Sequence, residues 1–258
     1  MQRYIFFRYL ASFYVILHHR TIVIMLGRLI LFPVALGCDD LSHSLPTYNL
    51  MLLNSCHTFI VEELRTARRF LKHAGYQHPI DNTTFHLLNE HTSEQDVVHY
   101  LDAIKQGEDV GLLSEAGLPC VADPGAMITR RAQQQGIEVV PLVGPSSIML
   151  ALMASGLNGQ NFAFVGYLPI DRTERLATLR TLEQRALRDN QTQIFIEAPY
   201  RNNQLLAVLA ETLHGETRVC VACDLTLDPQ FVHTRPAHQW RNDPPNLHKR
   251  NTVFLIGR

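Results

Sequence analysis

Three clusters of glycine and proline stand where short apolar runs give way to helical ones, and there the residue types and spacing of this 258-residue chain suit chemistry. The first, S-E-A-G-L-P-C-V-A-D-P-G, covers residues 114–125 and directly follows the apolar run D-V-G-L-L. Gly117 lets a ligand come close to the backbone, Pro119 and Pro124 stiffen the loop, and Gly125 opens a helix whose first N–H groups lack partners. Connections of this kind commonly run about 2 to 6 residues. A longer ordered loop at the carboxyl end of a parallel strand is therefore read as a ligand site, with Ser114, Glu115, Gly117, Leu118, Pro119 and Asp123 as its candidates. For Asp123 a second use stands open, capping N–H groups of the loop itself.

The second cluster, V-G-P-S-S at 143–147, again lies between a strand pattern and a helix, with Gly144, Pro145, Ser146 and Ser147 as candidates and either serine placed to cap the helix. The third joins V-G-Y-L-P (165–169) to E-A-P-Y-R (197–201). Gly166, Tyr167, Leu168, Pro199 and Arg201 are its candidates: glycine, an aromatic and a proline after a strand can form a flat wall for a purine ring, and an interdomain linker would have the same composition. None of these loops matches G-x-G-x-x-G or a Walker motif, and H-E-x-x-H, G-x-S-x-G and the deaminase signature are absent, so no metal is expected. Cys220 and Cys223 form C-x-x-C inside the alternating segment R-V-C-V-A-C-D-L-T-L, where that spacing points the two thiols to opposite faces of a strand. They are read as a structural pair.

The elements that must position these loops follow from periodicity. Strands are expected at 28–36, 58–62, 109–114 and 137–142, alternating with helices over V-E-E-L-R-T-A-R-R-F-L-K-H-A-G, over E-Q-D-V-V-H-Y-L-D-A-I-K-Q-G after Ser93, at 126–135, and over S-S-I-M-L-A-L-M-A up to Gly156. This is βαβ patterning and implies a parallel sheet. Beyond Gly156 the pattern restarts with a strand at F-A-F-V-G, a helix at 173–188, T-Q-I-F-I-E, a helix at 201–213, and strands near 217–223, 230–235 and 252–256. Residues 236–251 are polar and read as a loop. The fold class is α/β in two lobes, 25–156 and 157–258, with a mainly parallel sheet in the N-terminal lobe and a mixed sheet in the C-terminal lobe.

Composition narrows the classes further. Apolar residues make up 46% and charged ones 18%, and 23 Lys and Arg against 24 Asp and Glu give a net charge of −1. A large core is thus available, while a nucleic-acid partner must meet a local basic patch. Five cysteines, an odd number in a chain this long, suit a reducing, cytoplasmic setting. Residues 1–24 are aromatic and apolar but broken by Arg8, His18, His19 and Arg20, too interrupted for a membrane span, and are read as an upstream extension with Met25 as the natural start.

The succession of S-E-A-G-L-P-C-V-A-D-P-G, G-P-S-S, V-G-Y-L-P and E-A-P-Y-R, at these separations, resembles the tetrapyrrole methylase superfamily, and within it the branch acting on small-subunit ribosomal RNA. The likeness runs from about Leu29 to T-V-F-L-I-G; Glu115 replaces the family's Asp, Tyr200 its His, and F-P-V-A-L-G its T-P-I-G-N-L. Glu62, Glu63, Arg65, Arg68 and Arg69 are similar to the family's acidic and arginine-bearing A-E-D-T-R stretch. The resemblance implies a homodimer of two-lobed subunits with S-adenosylmethionine in the cleft between lobes, and methylation of a ribose 2′-hydroxyl of a cytidine in the RNA of the small ribosomal subunit. Candidates on the substrate side are Glu62, Glu63, Arg65 and His91. Two other readings stand beside it, a corrin or porphyrin methylase and a non-catalytic module that binds the same cofactor. The region after V-G-Y-L-P sets Arg172, Arg175, Arg180, Arg185 and Arg188 against Asp171, Glu174, Glu183 and Asp189, a solvated face as readily as an RNA patch.

Overall fold

The structure is a computed structural model and describes residues 26–89, 91–93 and 95–258, so the expected extension at 1–24 lies outside the described residues. Two compact units share the chain. The first takes the described residues up to Val34 together with Leu45–Gly144, and the second takes Ala35–Ser44 with Pro145–Arg258.

The first unit runs β1 (Leu29–Phe32), α1 (Thr47–Leu53), β2 (Thr58–Val61), α2 (Leu64–His73), β3 (Thr84–Leu87), α3 (Asp102–Lys105), β4 (Val110–Leu113), α4 (Ala126–Gln134) and β5 (Val139–Pro141). Its five strands lie in the order β3-β2-β4-β1-β5, and every pairing is parallel. Such a sheet is covered on both faces. Leu29, Ile60, Val110 and Leu112 meet Leu101, Ile104, Ile128 and Ala132 on one face, while Ile30, Phe32, Phe59 and Val61 meet Leu53, Ala67 and Leu71 on the other. Gly111 makes room at the centre, since a Cβ there would come within 2.5 Å of the Phe59 ring and 3.1 Å of Phe32.

The second unit holds α5 (Ser147–Ser155), β6 (Phe162–Tyr167), α6 (Arg172–Arg188), β7 (Thr192–Ile196), α7 (Asn202–Thr212), β8 (Arg218–Cys223), β9 (Phe231–Pro236), α8 (Gln239–Asn242) and β10 (Thr252–Gly257). Its sheet has the order β6-β7-β10-β8-β9, parallel only between β6 and β7. One face packs on α6 and α7, the other on α5. Cys220 belongs to the α5 side and Cys223 to the opposite core, both as free thiols, as their spacing requires. Burial pushes the Cys220 thiol up to about 11 and Cys56 of the first unit to about 12.

Several expectations shift. The expected border at 156/157 falls after α5, whereas Ile148, Ala151 and Leu152 of that helix pack with Ile194, Cys220 and Leu255 in the second unit. The strand expected at 28–36 stops at Phe32, because Pro33 has no N–H to donate; only Val34 forms a further bridge. The helix expected after Ser93 is instead a 3-10 turn at Asp96–His99 followed by α3, which leaves Val98 exposed while Val97, Leu101 and Ile104 remain buried. Strand β3 and helix α1 were unexpected, and α8 stands within the stretch read as a loop.

Candidate functional site

The carboxyl edge of the first unit's parallel sheet gathers the ends of β1, β2, β4 and β5. Leaving β4, the buried Ser114 hydroxyl donates to the carbonyl of Gly117 at 2.8 Å, which closes the loop's first turn. Gly117 and Val34 then exchange two backbone hydrogen bonds of 2.9 Å, tying this loop to the chain that leaves β1. Gly117 has φ +77°, and Cys120 and Ala122 follow at +67° and +57°, so the backbone turns sharply three times. Asp123 holds that path: its Oδ1 accepts from the N–H of Cys120 at 3.2 Å and from that of Gly125 at 2.6 Å. Burial pushes the Asp123 carboxyl upward, and the N–H groups of Gly125 and Cys120 counter it. Asp123 thus serves the loop's own backbone through Oδ1, the second of the two uses open to it. Leu118 is half-buried and Pro119 buried.

Glu63 ends the extended chain after β2 and caps α2, accepting from Arg65 N–H at 2.9 Å and Thr66 N–H at 2.7 Å. Those donors hold its carboxyl below the usual range. One residue on, the Thr66 hydroxyl lies 2.7 and 2.8 Å from the two carboxylate oxygens of Glu115, so α2 and the 114–125 loop are fastened to each other. Glu62 is half-exposed and Arg65 exposed at the same strand end. His91 is exposed in a turn beyond β3, where its N–H donates to Asn89 Oδ1 at 3.0 Å. Gly144, past β5, abuts Pro33 so closely that a Cβ there would overlap the proline ring, and the buried Asn49 donates to the carbonyl of Val143 at 2.7 Å.

In the second unit Pro145 is half-buried, and Ser146 takes the capping role at α5, its hydroxyl 3.4 Å from the N–H of Met149, with Ser147 the first helical residue. Gly166, at φ +73°, sits in the register shift between Phe164 and Tyr167 on β6. The bulge turns Tyr167 out to solvent while Leu168 enters the core. Beside it, the E-A-P-Y-R turn is organised by Glu197, whose side chain is 1% exposed. Its Oε1 accepts from Ala198 N–H at 2.8 Å and from Arg201 Nη2 at 2.6 Å and Nε at 3.0 Å. Its other oxygen faces the buried Arg175 at 3.8 Å, and Arg175 donates to the carbonyls of Pro169 and Ile170 at 2.8 and 3.2 Å. Arg201 also lies over the exposed Tyr200 ring, 5.3 Å from its centroid, and Pro199 is exposed.

Sequence reasoning missed four members of these arrangements: Val34, Thr66, Arg175 and Glu197. Only Glu197 carried a signal, as the sole acidic residue in E-A-P-Y-R; Arg175 had the pattern of a solvated helix face. Chemically, the 114–125 loop offers backbone groups, a hydroxyl and two carboxylates with no Lys or Arg among its residues. That set suits a small cation.

Residues 36–239 match the family described as Tetrapyrrole (Corrin/Porphyrin) Methylases. Among curated proteins, the ribosomal RNA small subunit methyltransferase I of Pseudomonas aeruginosa is 30% identical over 229 residues, covering 88% of this chain and 78% of that protein. The protein of the same name from Vibrio cholerae is 31% identical over 210 residues, 80% of this chain and 70% of its own length. Among solved structures, the crystal structure of the methyltransferase CobJ shares the fold with a TM-score of 0.60 at 18% identity, covering 90% of this chain and 94% of that one. The chain therefore belongs to the tetrapyrrole methylase family, and it is an S-adenosylmethionine-dependent methyltransferase.

Proposed function

We propose that the methyl acceptor is the ribose 2′-hydroxyl of a cytidine in small-subunit ribosomal RNA, and that the chain acts as a homodimer. The observation that carries the acceptor is the shared name of relatives that align over 70–78% of their own lengths. Local chemistry supports the donor's side of this reading. A sulfonium cation fits the 114–125 loop, which has Glu115 and Asp123 and no basic side chain. We assign to the cofactor Ser114, Glu115, Gly117, Leu118, Pro119, Asp123 and Gly144 in the first unit, and in the second Pro145, Ser146, Ser147, Gly166, Tyr167, Leu168, Pro199 and Arg201.

Bound to these residues, the cofactor supplies a methyl group on positively charged sulfur. What this chain must add is alignment along the line of displacement and exclusion of water. Ser114, Val34 and Asp123 serve alignment by fixing the loop path around Gly117. Transfer also releases the proton of the 2′-hydroxyl, which needs an acceptor. Glu63 is poorly suited, because two N–H groups already stabilise its charge. Glu62 and His91 are the residues assigned to that proton, with Arg65 beside Glu62 for the phosphate.

The test is transfer of labelled methyl to small ribosomal subunits from a strain lacking this protein, with calorimetric titration of S-adenosylmethionine and light scattering on the same sample. Label at a ribose of the small-subunit RNA is expected, from a particle of twice the chain mass. Tight cofactor binding without label in RNA overturns the acceptor.

A further inference from the structure

The cations of α2 stand in a row without an ion pair among the described residues. Arg65, Arg68, Arg69 and Lys72 are spaced i, i+3, i+4 and i+7, which places all four on one stripe of the helix, opposite the buried Ala67 and Leu71. All four are exposed. Among the described residues none of them forms an ion pair. Among the described residues Arg65 helps to hold the Glu63 carboxyl low, and the Arg68 guanidinium lies over the Phe85 ring, 5.6 Å from its centroid, which leaves its N–H edges open. Four neighbouring pairs in this row are like-charged, and each opposes helix formation. Arg65 stands in the first turn, where the helix dipole disfavours a cation. A row of this kind is stabilised by an anion from outside.

We infer that this stripe is a track for the phosphate backbone of the RNA substrate, leading to the methyl-transfer site; this rests on the RNA reading above. Charge complementarity selects the occupant. The chain's net charge is −1, so a polyanion finds its attraction in a local stripe and not in the protein as a whole. The four positions span about 10 Å along the axis at 1.5 Å per residue. Thr66, on the same helix, is bonded to Glu115 of the 114–125 loop, so one end of the track is fixed to the candidate site. A second copy of this chain is a poor occupant, since a two-fold contact would oppose the row to itself.

The experiment compares the wild type, R69Q/K72Q, R68Q/R69Q/K72Q, the charge-retaining R69K, and R180Q/R185Q on α6 as a control in binding to small ribosomal subunits, measured by filter retention over a range of salt without the methyl donor. Methyl transfer and S-adenosylmethionine affinity are measured separately. For the double variant, about a tenfold rise in the dissociation constant at moderate salt and a fall of nearly 2 in the slope of log K against log salt are expected, one unit per lost phosphate contact. Cofactor affinity is expected to stay unchanged, with R69K and R180Q/R185Q near wild type. Unchanged binding and slope in both row variants overturn the track, as does a wild type that fails to bind subunits or a variant that alters only the oligomeric mass. Subunit binding that depends on the row, without label in the RNA, upholds the track and overturns the acceptor alone.

Discussion

Helices α2 and α6 are both rich in arginine, and each fastens a candidate loop, but they do so by opposite means. On α6, Arg175 is buried and reaches the carbonyls of Pro169 and Ile170 beside Glu197, while Arg188 closes on Asp189 at 2.7 Å and the Glu183 carboxylate accepts from His214 N–H and Thr217. On α2 the fastening is a neutral hydroxyl, Thr66 to Glu115, and the arginines are left facing water. In one helix charge builds the loop. In the other it is kept apart from the loop and remains available to a partner. Counting residues hides the distinction, because it resides in where the carboxylates stand.

The largest effect that can sharpen this contrast is expected from Arg175→Ala, which removes the buried donor of the Pro169 and Ile170 carbonyls while Glu197 keeps Arg201; a loss of about 3 kcal/mol in urea unfolding is expected. A loss below 1 kcal/mol would place α6 with α2 as a merely solvated face. Gly117→Val comes next, since a β-branched residue at positive φ costs about 1–3 kcal/mol; calorimetry is expected to find S-adenosylmethionine binding abolished, and retained affinity would move the cofactor away from this loop. Thr66→Val keeps the shape but removes the hydroxyl from Glu115, for about 1 kcal/mol of stability and a several-fold drop in methyl transfer. Transfer at the wild-type rate would mean that α2 does not set the loop.

Glu63 provides a test by pH. Its folded-state pKa is lowered, so the stability it contributes is present above its unfolded value and lost as pH falls through the folded one. Protection of the α2 amides in hydrogen exchange is expected to decline on acidification in the wild type and to become flatter with pH in Glu63→Gln; identical profiles would remove the capping role. The smallest effect belongs to Arg69→Ala, expected within about 0.5 kcal/mol of the wild type and on the stabilising side, because it relieves like-charge neighbours. A clear destabilisation would show that the row has a structural duty after all.

The sequence disclosed the three loops and the parallel and mixed sheets because glycine, proline and apolar periodicity are local signals. Gly117, Gly144 and Gly166 each stand where a side chain would strain or obstruct the backbone or a glycine eases a turn, and Cys220 and Cys223 divide between two faces as alternation demands. Strand β3 escaped because T-F-H-L is a half-exposed edge with no strong apolar run. The helix after Ser93 was misread because a 3-10 turn and an α-helix bury the same Val97, Leu101 and Ile104. Glu197 and Arg175 lie far enough apart in sequence that only the folded chain makes them neighbours, so no local pattern could tell this arginine from its solvated counterparts.

The strand order of the first sheet also has a consequence in time. Among the described residues strand β1, the fully apolar L-I-L-F, pairs with β4 and β5 alone, and β4 does not begin until Val110. A ribosome making about 5–20 residues per second therefore releases a sticky, unpaired strand several seconds before its partner exists. The second sheet has no such wait for β8, since β9 follows after a short turn. Slow translation or scarce chaperones during that interval are expected to lower the yield of this protein.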